Sequence, residues 1–206
     1  MPAPDRPERI GIFGGTFDPP HRGHDAAARA VVRALDLDRL LLVVANDPWQ
    51  KSPTRELTPA AERLAMTGAL AQTIPRAEAS AMEIDRGGPS YTVDTVEALA
   101  TEAARAHRAP PELFVVVGED LVSQLDSWER VEDLRQEVTL VVVSRPGSTS
   151  WADPPGWRTR RVVGPQVDVS SSDLRQALAR GASVADLVPE RVIRCIGRRG
   201  LYAVSR

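Results

Sequence analysis

Four apolar runs constrain this chain more than any other feature: Ile10 to Phe13, Leu40 to Val44, Leu113 to Val117 and Val138 to Val143. Each is nearly continuous rather than alternating, so each reads as a strand with both faces buried. The stretches between them have helical periodicity. Ala28, Val31 and Leu35 share one side of the segment from Gly23 to Asp36, with His24 one turn earlier, and a helix is expected to begin at His24. Thr58 and Pro59 read as a cap and a first-turn proline for a helix over Ala60 to Gln72. A weaker strand is expected near Ala79 to Ile84, then a helix from about Thr92 to Ala106 and a short helical stretch around Val131 to Leu134. This beat predicts one α/β domain over residues 1–206, with its core over 9–203: a Rossmann-like, open, mostly parallel sheet with helices on both faces. Ligands of such a fold sit at the carboxyl ends of the strands.

The last third is less regular. Ser144 to Pro165, rich in proline and containing Trp151 and Trp157, reads as a long surface excursion. A short strand over Val162 to Val169, a helix opened by Ser170-Ser171-Ser172 and a final helix from Pro189 to about Gly197 are expected after it.

Charge and cysteine content exclude several classes of function. With 26 Lys+Arg against 28 Asp+Glu the formal net charge is −2, without the cationic surplus that non-specific nucleic-acid binding needs. Cys195 is the single cysteine and His21, His24 and His107 are the only histidines, so disulfide scaffolds and zinc ribbons are ruled out. Cys195 reads as a small core residue and His107 as a surface one. No apolar stretch reaches the roughly 18 residues of a membrane helix, and Pro2 to Arg9 is proline-rich and charged. A cytoplasmic chain without nucleic-acid or membrane partners is expected, and a homo-oligomer is compatible with the composition.

Two clusters can carry chemistry. The first is the loop Gly14-Gly15-Thr16-Phe17-Asp18-Pro19-Pro20-His21-Arg22-Gly23-His24, which joins the first strand to the first helix. Paired glycines let backbone approach a phosphate closely, a helix start offers unpaired N–H groups, and histidines three apart can aim two donors at one spot. The loop has neither the Gly-Lys-Ser/Thr of a P-loop nor the G-x-G-x-x-G of a dinucleotide site. A glycine turn with incidental histidines is the alternative for either feature taken alone. The second cluster is Val169-Ser170-Ser171-Ser172-Asp173-Leu174-Arg175. By itself it is an ordinary N-cap with a solvated arginine; with the first it becomes a second anion grip, and two such grips imply a polyphosphate.

The histidine loop and the late Ser-Ser-x-x-x-Arg helix resemble the H-x-G-H nucleotidyltransferase superfamily. Gly88-Pro89-Ser90-Tyr91-Thr92-Val93-Asp94-Thr95, Gly118-Glu119-Asp120, Ser127-Trp128 and Ser144-Arg145-Pro146-Gly147 follow the order and spacing of bacterial nicotinate-nucleotide adenylyltransferases. The resemblance spans about Ile10 to Tyr202. It implies transfer of AMP from ATP to nicotinate mononucleotide, giving nicotinate adenine dinucleotide and pyrophosphate, with Mg2+ carried by ATP rather than held in a protein metal site.

The same resemblance implies catalytic roles for His21, His24, Lys51 and Arg175. It implies ATP contacts from Gly14, Gly15, Thr16, Phe17, Gly23, Ser170, Ser171 and Ser172 besides these histidines and Arg175. Thr92, Asp120, Trp128 and Arg145 would contact the mononucleotide. Three departures stand out: Pro48-Trp49-Gln50-Lys51 where many members read Pro-Pro-His-Lys, Ser172 where threonine is common, and the Trp-containing excursion after Gly147, which is not part of the pattern. The alternatives are the same chemistry on another acceptor, nicotinamide mononucleotide or phosphopantetheine, and a non-catalytic nucleotide-binding regulator.

Overall fold

The computed structural model describes residues 6–48, 57–148 and 152–202. Trp49, Gln50, Lys51 and Trp151 lie outside the described residues. One sheet contains six strands: β1 (Arg9–Gly15), β2 (Arg39–Val44), β3 (Ala77–Ser80), β4 (Glu112–Gly118), β5 (Val138–Ser144) and β6 (Arg158–Val163). Their order is β3-β2-β1-β4-β5-β6 and every pairing is parallel. This is the doubly wound arrangement, in which winding reverses between β1 and β4 and leaves a crevice at the carboxyl ends of those two strands.

The helices are α1 (Arg22–Leu35), α2 (Ala60–Ala71), α3 (Met82–Arg86), α4 (Thr92–Arg105), α5 (Val131–Glu137), α6 (Ser171–Ala179) and α7 (Glu190–Arg199), with a 3₁₀ segment over Glu119–Ser127. Alternation along β4 sends Phe114 and Val116 into a core shared with α1, α2, α6 and α7. Leu113, Val115 and Val117 point the other way, toward Val96 and Leu99 of α4 and Leu134 of α5. Both faces are covered, which explains the continuous apolar runs: burying each such side chain contributes about 1.5–3 kcal/mol. Cys195 is buried and His107 exposed, as expected. Among the described residues, no helix is long and apolar enough to cross a membrane.

Four local expectations are corrected. Helix α1 starts at Arg22 rather than His24, because His21 forms an extended N-cap that an apolar stripe does not register. Thr58 does not cap α2: Pro59 is the N-cap, and the Thr58 carbonyl instead accepts a hydrogen bond from Arg63 Nε at 2.8 Å. The strand near Ala79 stops at Ser80, and Met82–Arg86, expected in part to extend it, turns into helix. The sixth strand occupies Arg158–Val163, inside the supposed excursion, and not Val162 to Val169. As an edge strand carrying Arg158, Arg160 and Arg161 it is mostly exposed, so hydropathy does not mark it. Trp157 just before it is buried against the α4–α5 core, with the Arg135 guanidinium 5.9 Å from its ring.

Candidate active site

A cleft of about 970 Å³ opens at the switch point. Gly14, Gly15 and Thr16 line it beyond β1, Ala45 beyond β2, Gly118 to Asp120 beyond β4, and Arg145 beyond β5. Two helix N-termini face it: α1 through His21, Gly23 and His24, and α4 through Tyr91 and Thr92. Each brings the partial positive charge of a helix N-terminus, so this single cleft is suited to two anionic groups.

The two adjacent glycines have different reasons to be glycine. A Cβ at Gly14 would meet nothing within 4 Å, so this backbone is open to a ligand. A Cβ at Gly15 would lie 3.0 Å from the Phe17 ring, which folds back over it. Phe17 adopts φ 50° and is fully buried, so it shapes the loop from beneath and does not line the cleft. Its ring lies 4.9 Å from that of His24. His21 stacks on the other side at 3.8 Å, in space that exists because Gly23 lacks a Cβ.

The His21 backbone N–H donates to His24 Nδ1 at 3.2 Å. With Nδ1 accepting, the ring proton of His24 sits on Nε2, which makes that nitrogen a donor. Burial pushes the His21 imidazole down to about 4, so at neutral pH it is uncharged and can offer one N–H but no positive charge.

The late serine helix occupies a different place. Ser170 caps α6 by accepting from the Asp173 N–H at 3.1 Å. Ser171 Oγ donates to the Pro19 carbonyl at 3.0 Å, and Arg175 donates to the Asp18 carbonyl at 2.6 Å and to Ser172 Oγ at 3.1 Å. Through these bonds they brace the histidine loop. Tyr202 completes the brace by donating its hydroxyl to Asp18 Oδ1 at 2.7 Å, and burial pushes that phenol well above its usual range.

On the other wall, Thr92 opens α4, Trp128 follows the 3₁₀ segment, and Asp120 lies at the start of that segment. All three line the cleft. Trp128 Nε1 and Glu119 Oε2 are buried without a hydrogen-bond partner. Arg145 is at the rim, 3.6 Å from Asp168, with its side chain 67% exposed. Among the described residues no three His, Cys, Asp or Glu groups come together as a metal site.

Two buried charged residues were not singled out from the sequence. Arg63, 1% exposed, donates to the carbonyls of Thr16 (3.0 Å), Ala45 (2.6 Å), Asn46 (3.2 Å) and Thr58 (2.8 Å), tying the exits of β1 and β2 to α2. The available signal was its place at i relative to Met66, Thr67 and Leu70, which puts a charge on the buried stripe of α2. Glu83, also buried, lines the cleft from α3; no local pattern marks it.

The chain belongs to the cytidylyltransferase-like family, whose model matches residues 12–177, and it is a nucleotidyltransferase. Within that family it belongs with the nicotinate-nucleotide adenylyltransferases. A "Probable nicotinate-nucleotide adenylyltransferase" of Leifsonia xyli is 40% identical over 195 residues, 94% of each chain. A protein of the same name from Acidothermus cellulolyticus is 37% identical over 96% of this chain and 95% of its own. In fold, the chain resembles Plasmodium falciparum nicotinic acid mononucleotide adenylyltransferase complexed with NaAD. The TM-score is 0.75 at 18% identity, over 95% of this chain and 97% of that one.

Proposed function

We propose that this chain transfers the adenylyl group of ATP to nicotinate mononucleotide, releasing pyrophosphate and forming nicotinate adenine dinucleotide. The observation that carries this reading is the convergence of two helix N-termini, α1 and α4, on one cleft at the sheet's switch point. One suits a triphosphate and the other a pyridine carboxylate, and full-length relatives carry the corresponding name.

In the reaction, an oxygen of the mononucleotide phosphate forms a bond to the α-phosphorus of ATP. The bond from that phosphorus to the bridging oxygen breaks, and pyrophosphate departs with the electron pair. The attacking phosphate has a second pKa of about 6, so it is largely dianionic at neutral pH and needs no general base. The protein's task is alignment and charge stabilisation. His24 Nε2–H donates to an α-phosphate oxygen, neutral His21 adds a second N–H, and the α1 N-terminus with the Gly14–Thr16 backbone cradles the chain of phosphates. Lys51 reaches between the two substrates' phosphates. Ser170, Ser171, Ser172 and Arg175 steady the triphosphate end of the site, and their bonds to Asp18, Pro19 and one another keep the histidine loop in register. Mg2+ bound to ATP would be held by nucleotide oxygens and water and would neutralise phosphate charge, while the imidazole, hydroxyl and N–H donors of this wall serve the phosphate oxygens.

On the acceptor wall, Trp128 stacks on the pyridine, Asp120 takes the ribose hydroxyls, and Arg145 pairs with the mononucleotide phosphate. The α4 N-terminus at Thr92 receives the carboxylate, which favours the acid over the amide. Measuring pyrophosphate release from ATP, magnesium and each acceptor tests this. Nicotinate mononucleotide is expected to exceed nicotinamide mononucleotide in kcat/KM by about tenfold or more. A preference for the amide or phosphopantetheine overturns the acceptor; no turnover with any acceptor leaves a nucleotide-binding regulator.

A further inference from the structure

Glu83 lies in the cleft wall, and the hydrogen bonds around it are directional. The Asn46 backbone N–H donates to Ser90 Oγ at 2.8 Å. That leaves the one hydroxyl hydrogen of Ser90 for the Glu83 carboxylate, whose charged form the Ser90 side chain favours. From α4, the fully buried Thr95 donates its hydroxyl to Glu83 Oε1 at 3.2 Å. Both hydroxyls therefore depend on one acidic acceptor.

The turn between α3 and α4 is also fixed to the segment that follows β2. Asn46 Nδ2 donates to the Gly88 carbonyl at 2.8 Å, the Ser90 N–H donates to the Asp47 carbonyl at 3.0 Å, and Asp47 bridges Pro89. Gly87 and Gly88, at φ 71° and 68°, carry the chain through a left-handed bend that favours glycine. The backbone bonds set where the turn begins. Glu83 sets where it ends, because Ser90 and Thr95 flank Tyr91 and Thr92 at the start of α4.

We infer that Glu83 is the positioning residue of the acceptor subsite: its carboxylate, by accepting from Ser90 and Thr95, orients the α4 N-terminus toward the mononucleotide. Its bonds run to protein hydroxyls, and the dianionic nucleophile requires no base, so it acts through the turn and not on the reacting atoms. Burial pushes its carboxyl above the usual range, while bonds from Ser90 and Thr95 and the nearby Arg86 pull it back. That cost of burial is tolerated where an acceptor is needed for two enclosed hydroxyls. The inference rests on the proposed reaction, and its prediction is specific to one substrate.

The test is steady-state kinetics with both substrates varied. Glu83→Ala is expected to raise KM for nicotinate mononucleotide about tenfold, while KM for ATP changes by less than about twofold. Glu83→Gln, which keeps an oxygen acceptor, is expected to recover most of that loss. Equal changes in both KM values, or a lower melting temperature with both unchanged, would overturn the positioning role. Should Glu83→Ala fail to fold, Ser90→Ala and Thr95→Val carry the test: a selective rise in acceptor KM supports the inference and unchanged kinetics overturn it. Wild-type protein that releases no pyrophosphate from ATP and nicotinate mononucleotide would instead sink the proposed reaction, a separate failure.

Discussion

Thr16 and His21 on the β1–α1 wall of the cleft are 7% and 8% exposed, whereas Asp120 and Arg145 on the opposite wall are exposed and Trp128 is half-buried. The first wall is assembled before any ligand arrives: Arg63, Arg175, Ser171 and Tyr202 all bond to its loop, and aromatic rings enclose His24. The second presents a helix N-terminus, a half-buried tryptophan and two exposed charged side chains. The difference fits the chemistry proposed for each wall. Charge developing at phosphorus is stabilised most by donors that need no rearrangement. A stacked ring and a sugar are bound by surfaces that the ligand itself covers.

Five experiments can break or sharpen this contrast. Arg63→Met leaves four carbonyls behind the first wall without their donor and is expected to cost about 4 kcal/mol in urea unfolding. A loss below about 1 kcal/mol would mean that the wall does not depend on this brace. His24→Ala is expected to lower kcat about 10²–10³-fold, or about 3–4 kcal/mol, and unchanged turnover would remove His24 from the mechanism.

The third experiment follows stability with pH. The unfolded chain protonates His21 near its ordinary value of 6.5, whereas the folded protein resists protonation down to about 4. The unfolded state therefore binds more protons between these values. Stability is fully present above pH 6.5 and falls by about 3 kcal/mol on acidification to pH 4. His21→Asn should flatten that part of the pH–stability curve.

The other two experiments probe outside the first wall. A Cβ at Gly118 would collide with Asp120 Oδ1, so Gly118→Ala must displace that carboxylate. Acceptor KM should rise about tenfold and ATP KM by less than about twofold; parallel changes would show that the walls are not independent. Ser170→Ala removes the α6 cap and should cost about 1 kcal/mol of stability, with any rise in KM confined to ATP.

Most of the sheet was legible because β1, β2, β4 and β5 are interior strands, and burial on both faces writes itself into consecutive residues. β6 was not legible. It is an edge strand whose side chains are mostly exposed, and its pairing with β5 rests on backbone bonds that any sequence can make. The histidine loop was legible as part of the cleft because glycines and histidines at a strand-to-helix junction have few other uses in that combination. The bonds of the serine helix to Asp18 and Pro19 were not, since a capped helix N-terminus reads the same whatever loop its side chains meet.

Sequence alone determined the α/β class, the strands that form the sheet's centre, the switch-point loop and the family, because these depend on local periodicity and on motifs contiguous in the chain. Tertiary structure decided that Arg63 is buried among carbonyls of three segments, that Arg175 bonds to a loop 157 residues earlier, and that Glu83 receives two hydroxyls across the α3–α4 turn. A hydrogen bond has directions as well as partners, and those directions exist only once packing has fixed both ends.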